Sequence, residues 1–397
     1  MNTLDIEPHQ DGDTGVIVHK TVTISGKQID TPAKAIQISK STRYAEVVEE
    51  ARAVNEIHQQ VDGQTIENSR LQSDDKIREG IKDGLKDAQG GELNIAFLSH
   101  QEETELRGSD IRWCVQVLNE YSDIIPTPLM PAIMRGATND ENEPVQETTE
   151  YENGLRNIKK FLRYAEELDV STPLMGVLPV RYPWELNQQL LDLYIDAGIR
   201  AFCVNFDGKT VSAQEQIDDV VAPLVEDLTD RGLENASLLY AINAKPGNYT
   251  NGDVKSSKDF AALYHGFDVL GENHIPFRAP EHVFERIEKE QKNSPTTIDI
   301  FDKGEYVHRR CALSDIDTHF PSDSGVDLQK IKRELRKKDE PPYNIRAILN
   351  AEQMSQAARE LRVSVQAGNV TDTLSEKGGV GEDEEKTMSQ VRSRYEG

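Results

Sequence analysis

Short apolar runs alternate with amphipathic segments between residues 172 and 278 of this chain. The runs at 172–180, 199–207, 238–243 and 266–270 are rich in Val, Ile, Leu and Phe, and leucines recur at helical spacing between them. Buried strands that alternate with amphipathic helices are typical of a parallel sheet. The pattern therefore predicts consecutive strand–helix units in this half of the chain.

The number of such units favours a closed α/β barrel of the TIM type, with eight strand–helix units, over an open parallel sheet, which is the second interpretation. In these barrels the chemistry lies at the carboxyl ends of the strands. We therefore looked for functional groups among the polar residues that follow each predicted strand, which are Ser99, His100, Asn205, Asp207, Asn243, Lys245, Glu272 and His274.

The remaining segments predict elaborations around this barrel. Residues 17–38 alternate apolar and polar positions around a Ser25-Gly26-Lys27 turn, which predicts an antiparallel hairpin. A highly charged segment follows, with a predicted helix at 44–59, and 93–98 is the first clear barrel strand. We expect an N-terminal hairpin and charged helical segment (1–90), the barrel core (91–280), a C-terminal helical subdomain packed on it (281–377) and a disordered tail (378–397).

The charge of the chain is strongly acidic and evenly distributed. Of its 397 residues, 70 are acidic and 45 basic, for a net charge of −25. An acidic excess spread over the whole chain indicates adaptation to a high-salt cytoplasm, although an ordinary soluble acidic protein has the same signature. Three distant cysteines with no CxxC pair predict buried thiols, and the absence of long apolar stretches predicts a cytoplasmic protein without membrane partners.

Several stretches resemble the tRNA-guanine transglycosylase superfamily, whose members exchange guanine in a nucleic acid for a 7-deazaguanine. Residues 22–33, ending in Thr-Pro-Ala, resemble the family's N-terminal hairpin, and 121–125 (Tyr-Ser-Asp-Ile-Ile) resemble its SDIIM strand. Residues 175–246 follow its strand–helix order, 266–270 resemble the strand that leads to its nucleophile, and 344–374 resemble its C-terminal helix. The closest likeness is to the divergent branch that includes DNA-modifying DpdA-type enzymes.

The resemblance implies base exchange, with preQ0 or a related 7-deazaguanine entering DNA or tRNA through a carboxylate nucleophile. The chain departs from the family where Gly271 aligns with the nucleophilic aspartate and where Leu129 and Pro179 align with base-recognition residues. The family's CxCxxC zinc motif is reduced to Cys311, so no metal or other cofactor is expected. These departures leave a second hypothesis open, a non-catalytic subunit that binds nucleic acid or a catalytic partner.

Three carboxylates are candidates for catalysis. Glu272 follows the position of the family nucleophile by one residue, so that a bulge at the strand end would bring it into the mouth; the alternative is a solvated glutamate. Asp207 precedes Gly208 and is either a catalytic or base-contacting group or a turn aspartate. Asp268 lies inside a predicted strand and is either catalytic or a buried structural partner.

Other polar residues are candidates for binding. The alternative for each of them is an ordinary loop or surface residue without a binding role. Polar strand-end residues would contact the substrate base, and cations would contact the nucleic-acid backbone. A homodimer or heterodimer fits either functional hypothesis. The substrate-binding candidates are Ser99, His100, Asn205, Asn243 and His274, and the nucleic-acid-binding candidates are Arg135, Arg181, Lys332, Arg333, Arg336 and Lys337.

Overall fold

A computed structural model describes residues 4–11, 16–38, 46–71, 75–136, 149–275, 297–336 and 343–395 of the chain. Its centre is a sheet of eight parallel strands, which follow one another around the sheet in chain order. The first strand pairs with the last. A bridge between Ser99 and Leu129, with a 2.8 Å hydrogen bond from the His100 amide to the Leu129 carbonyl, joins the third and fourth strands. The fold is a TIM-type α/β barrel, as predicted.

The strands and helices are distributed as follows. The barrel strands are β4 (Ala33–Gln37), β5 (Val54–Val61), β6 (Leu93–His100), β7 (Ile125–Pro126), β8 (Leu174–Pro179), β9 (Ala201–Asn205), β10 (Leu238–Ile242) and β13 (Val269–Leu270). The other strands are β1 (Leu4–Asp11), β2 (Val18–Ile24), β3 (Lys27–Thr31), β11 (Tyr249–Asn251), β12 (Val254–Ser256), β14 (Thr297–Asp302) and β15 (Val307–Ala312). The α-helices are Gly63–Arg70, Lys76–Leu85, Gly108–Tyr121, Pro131–Gly136, Thr149–Glu167, Trp184–Asp196, Gln214–Gln216, Ala222–Asp230, Ala261–Tyr264, Ile316–His319, Leu328–Arg336, Tyr343–Ala367, Val370–Ser375 and Glu382–Tyr395, with a 3₁₀ turn at Glu49–Ala51 and a π turn at Ile217–Val221.

Side chains of the barrel strands alternate between an inner and an outer apolar cluster. In β10, Leu238, Tyr240 and Ile242 belong to the cluster that fills the barrel, whereas Leu239 and Ala241 belong to the cluster beneath the helices. This is the period of two that a strand imposes. It explains why strands buried on both faces read as continuous apolar runs in the sequence.

A three-stranded antiparallel sheet, β1–β2–β3, covers the N-terminal end of the barrel. The predicted hairpin is β2–β3, and its turn has positive φ at both Ser25 and Gly26, as a tight two-residue turn requires. Val22 and Ile24 pack in the same cluster as the barrel interior. We call this closed end the floor and the opposite, C-terminal end the mouth.

The barrel begins earlier in the chain than we predicted. β4 and β5 lie within the segment 1–90 that was assigned to a hairpin and charged helices, and both are barrel strands. The helix predicted at 44–59 is wrong, because Val54–Val61 is the second barrel strand. Charged and amide side chains on both faces of β5 hid the strand period from the sequence analysis.

The C-terminal region also differs from its prediction. The segment 281–377 contains β14 and β15 beside its helices. These two strands pair with each other, and β15 also pairs with β12 in a separate four-stranded sheet. The long helix Tyr343–Ala367 packs on β4 and β14. The tail predicted as disordered contains the helix Glu382–Tyr395, which packs against Ala222–Asp230. The first part of the predicted C-terminal subdomain, 281–296, lies outside the described residues.

Candidate active site

A polar cleft opens at the mouth of the barrel. Its cavity volume is about 20 Å³, close to the space of one water molecule, so entry of a larger group requires side chains at the rim to move. Residues at the ends of six barrel strands contribute, so the cleft lies where catalytic groups gather in this architecture. It is lined by His58, Gln60, Ser99, Gln101, Leu129, Pro131, Arg135, Asn205, Asn243, His274 and Ile275.

A buried carboxylate, Glu56 of β5, lies beneath this cleft. Its Oε1 accepts hydrogen bonds from His274 Nε2 and, at 3.1 Å, from the Glu272 amide. Its Oε2 accepts from the Tyr240 hydroxyl. The Glu56 side chain is 0% exposed. An ionised carboxylate at this depth needs such donors, because an unpaired buried charge is very costly.

The space that Glu56 occupies is available only because residue 271 is glycine. A Cβ at Gly271 would lie 2.5 Å from Glu56 Oε2 and 2.6 Å from a ring carbon of Tyr240. A side chain at position 271 is therefore incompatible with the present position of Glu56. The carboxylate at the centre of the barrel comes from the second strand and not from the last one.

His274 connects this buried carboxylate to the cleft. Its ring stacks on His58, with 4.1 Å between ring centroids and 4° between the ring planes. Its backbone amide donates to Asn243 Oδ1 at 2.9 Å. The imidazole is thus fixed by a carboxylate at one edge and an aromatic face at one side, while it lines the cleft.

The environment of this cluster shifts several pKa values. Burial alone would raise the pKa of Glu56, but the charge and hydrogen bond of His274, the Tyr240 hydroxyl and the charge of Lys34 together lower it. Burial and the charge of His274 lower the pKa of His58 well below its usual range. Burial and the neighbouring Glu56 charge raise the pKa of Tyr240. At neutral pH the cluster therefore contains an ionised carboxylate, a neutral His58 and a protonated Tyr240.

Two asparagines that line the cleft are hydrogen-bonded to each other. Asn243 Nδ2 donates to Asn205 Oδ1 at 2.8 Å, and the same oxygen accepts from the Asp207 amide at 3.2 Å. Asn243 and Asp207 both have positive φ, a conformation that Asn and Asp tolerate better than most residues. Both asparagines and Ser99 line the cleft, as the strand-end argument predicted.

Asp207 is held by two arginines. Arg135 Nη2 lies 2.7 Å from Asp207 Oδ1, and Arg181 Nε donates to Asp207 Oδ2. The Asp207 side chain is 1% exposed, whereas Arg135 is 28% and Arg181 17% exposed. Asp207 precedes Gly208 in a turn with positive φ at both residues. The turn interpretation is correct, and the arginines, not the carboxylate, face the solvent.

Glu272 is the carboxylate at the end of the last barrel strand. Its Oε1 lies 2.5 Å from Lys34 Nζ, and Lys34 also donates to the backbone carbonyls of Ala35 and Gly271 at 2.6 and 3.3 Å. The Glu272 side chain is 20% exposed and Lys34 only 3%. A buried ammonium thus holds a carboxylate that remains accessible at the mouth.

Two predicted site residues lie elsewhere. Asp268 is at the floor, where its carboxylate accepts from Lys20 at 3.0 Å and from the Leu239 amide at 2.8 Å; it precedes its strand, so its catalytic assignment is wrong. His100 follows Ser99 directly and is almost fully buried. Because Ser99 faces the cleft, strand alternation turns His100 toward the outer layer, and its substrate-binding assignment is wrong.

The basic cluster predicted to bind nucleic acid is on the helix Leu328–Arg336, none of whose described residues lines the cleft. Lys332 pairs with Asp317 at 2.5 Å, and Lys330 pairs with Glu46 at 2.6 Å. Arg333 and Arg336 are exposed. Lys337 lies outside the described residues. Part of the positive charge of this helix is therefore neutralised by acidic neighbours.

Sequence reasoning missed Glu56, His58, Tyr240 and Lys34. A signal for the first two was present, because in β5 the residues Val54, Glu56, His58 and Gln60 share one face at a spacing of two. A glutamate and a histidine at i and i+2 on an inward face indicate a polar barrel centre. Tyr240 and Lys34 carried no comparable signal, since each lies in an apolar or mixed run.

Comparison of the chain with protein-family models gives no match, and no curated protein is found to be similar. The likeness to guanine transglycosylases therefore rests on the motifs described above. Among the described residues no cluster of three or more His, Cys, Asp or Glu side chains could hold a metal ion. In the same part of the chain, no helix is long and apolar enough to cross a membrane.

Proposed function

We propose that this protein is an enzyme that exchanges guanine in DNA or tRNA for a 7-deazaguanine such as preQ0, with its active site at the barrel mouth. The observation that carries the proposal is the accessible Glu272 carboxylate, held 2.5 Å from the buried Lys34 ammonium at the end of the last barrel strand. Base exchange on a sugar needs such a carboxylate to hold the anomeric carbon while one base leaves and another enters.

The surrounding groups suit a nucleotide that has been rotated out of its helix. Asn205, Asn243 and Ser99 offer donors and acceptors to the edge of a base. Arg135 and Arg181, held by Asp207, offer cationic surface at the same end of the barrel, where a phosphate would lie. In this assignment Glu272 attacks the anomeric carbon, Lys34 positions it, and the cleft holds the base.

A direct test is incorporation of labelled guanine or preQ0 into DNA and into tRNA, in roughly 2 M KCl to screen the acidic surface. We expect label in one of the two nucleic acids. Glu272→Gln should lower incorporation on the order of 10⁶-fold, the scale seen when a nucleophile is removed. Absence of label in both nucleic acids would remove the enzymatic proposal.

The second candidate function, a non-catalytic subunit, is favoured by Gly271, which stands where the resembling family has its nucleophile. In that case the mouth binds a nucleic acid or a partner without chemistry. Two results together would support this alternative. The wild-type protein would incorporate no label, and both the wild type and Glu272→Gln would bind DNA or tRNA.

A further inference from the structure

We infer that His274 is the general acid–base residue of this cleft and that Glu56 is the residue that positions it. The inference deepens the proposed function and rests on it for the identity of the substrate. Base exchange requires a proton transfer in addition to a carboxylate at the anomeric carbon. The inference places the residue that transfers this proton at the mouth of the barrel.

The Glu56 carboxylate sets the orientation of the His274 imidazole. Because the Glu56 carboxylate accepts from Nε2, that nitrogen carries a hydrogen and Nδ1 is the one left for a substrate. Glu56 is itself fixed, since its carboxylate also accepts from the Glu272 amide and the Tyr240 hydroxyl. A carboxylate that holds one ring nitrogen of a histidine while the other faces a reaction site is the geometry of known acid–base dyads.

The His274 ring is also placed beside the polar groups of the cleft. His274 lines the cleft together with His58, Asn205 and Asn243. The stacked His58 and the Glu56 carboxylate restrict rotation of the ring, and the hydrogen bond from the His274 amide to Asn243 fixes its backbone. Among the described residues Nδ1 has no hydrogen-bond partner, which leaves this nitrogen for a group bound in the cleft.

Gly271 provides the space that this arrangement needs. A Cβ there would lie 2.5 Å from Glu56 Oε2, so a side chain at 271 would displace the carboxylate that holds His274. The glycine that follows the last barrel strand thus admits Glu56 from the second strand.

The chemistry balances as follows. As the C1′–N9 bond breaks, its electron pair moves into the leaving guanine, His274 donates a proton to the N7 of that base, and the Glu272 carboxylate forms a bond to C1′. The incoming 7-deazaguanine then returns the proton, because its N9–H is taken up by His274 as N9 attacks C1′ and the Glu272 bond breaks. No oxidant, reductant or metal is required.

The decisive experiment compares release of guanine with release of 7-methylguanine, whose fixed charge removes the need for a proton. His274→Asn should lose about 100-fold or more on guanine but less than about 10-fold on 7-methylguanine, within the range for general acid catalysis. Glu56→Gln should show the same selective loss. Because it retains His274, it tests the dyad even if His274→Asn fails to fold.

Glu352→Gln is the matched control, because Glu352 is another fully buried glutamate and does not line the cleft. Its carboxylate accepts from the backbone amides of Val48 and Gly325. It should lower stability without changing the ratio of the two release rates. Equal losses on both bases in the His274 and Glu56 variants would overturn the dyad while leaving base exchange intact. A wild-type protein that releases neither base would instead overturn the proposed function.

Discussion

The floor and the mouth of this barrel each contain a lysine–carboxylate pair, and both carboxylates flank β13. At the floor Lys20 lies 3.0 Å from Asp268, and at the mouth Lys34 lies 2.5 Å from Glu272. The lysine comes from the N-terminal segment in both cases. The two pairs differ in access, because both partners at the floor are 3% exposed, whereas Glu272 is 20% exposed.

The two ends differ in exposure because only the floor is covered by a sheet. The three-stranded sheet β1–β3 closes the floor, and Lys20 also donates to the Ser237 carbonyl at 2.9 Å. Polar side chains line the mouth instead, and they leave a cleft. Residue types that would be indistinguishable in the sequence thus serve a structural pair at one end and a candidate reactive carboxylate at the other.

Removal of one partner at the floor should have the largest effect on stability. Asp268→Asn leaves Lys20 buried without a counter-charge, so we expect a loss of about 3–5 kcal/mol in the free energy of unfolding. Urea unfolding at constant salt measures it. Glu272→Gln should cost less than this, because Glu272 is itself partly exposed and Lys34 keeps the charge of the neighbouring Glu56. Equal costs at the two ends would contradict the comparison.

The next largest effect on stability is expected at low pH and involves His100, whose side chain points away from the mouth. Burial lowers the pKa of His100 to about 4, so the unfolded chain takes up a proton near pH 6.5 that the folded chain refuses. The stability contributed by neutral His100 is complete above pH 6.5 and is lost as the pH falls toward 4.

Substitution of His100 should therefore reduce acid sensitivity. Between pH 7.5 and pH 4.5 the wild type should lose about 3 kcal/mol more than His100→Gln. Unfolding free energies at the two pH values give this difference, and effects of carboxylate protonation are common to both proteins. An unchanged difference would mean that His100 is accessible to solvent and faces the mouth after all.

The sequence predicted the barrel because β8, β9 and β10 are apolar on both faces and are separated by amphipathic helices. It also predicted that Ser99, Asn205, Asn243 and His274 would meet, since strand ends converge in this fold. It failed at β5, where Glu56 and His58 face inward in a run of charged and amide residues. No local pattern reveals that a carboxylate of the second barrel strand fills the space above a glycine that follows the last strand, because that contact exists only after the barrel closes.

The packing of Gly271 provides a smaller test at the mouth. Gly271→Ala places a methyl group 2.5 Å from Glu56 Oε2, which should cost about 1–3 kcal/mol through overpacking. Gly91→Ala is the matched control, because a Cβ there meets nothing within 4 Å. In a double-mutant cycle the cost should persist in full with Glu56→Gln and fall with Glu56→Ala, where the contact with the Tyr240 ring at 2.6 Å remains. An equal cost in the two backgrounds would show that Glu56 does not occupy this space.

The smallest expected effect is the response of the floor pair to salt. The net charge of −25 predicts that the Tm of the whole protein rises between roughly 0.1 and 2 M KCl, as the Debye length falls from about 10 Å to less than 3 Å. Lys20 and Asp268 are shielded from these ions by the sheet above them, and buried pairs are screened much less than exposed ones. Salt should therefore raise the Tm of wild type and Asp268→Asn alike. The cost of the substitution should change by less than about 0.5 kcal/mol across this range. A cost that shrinks as salt is added would place the floor pair in contact with solvent and make the two ends of the barrel alike.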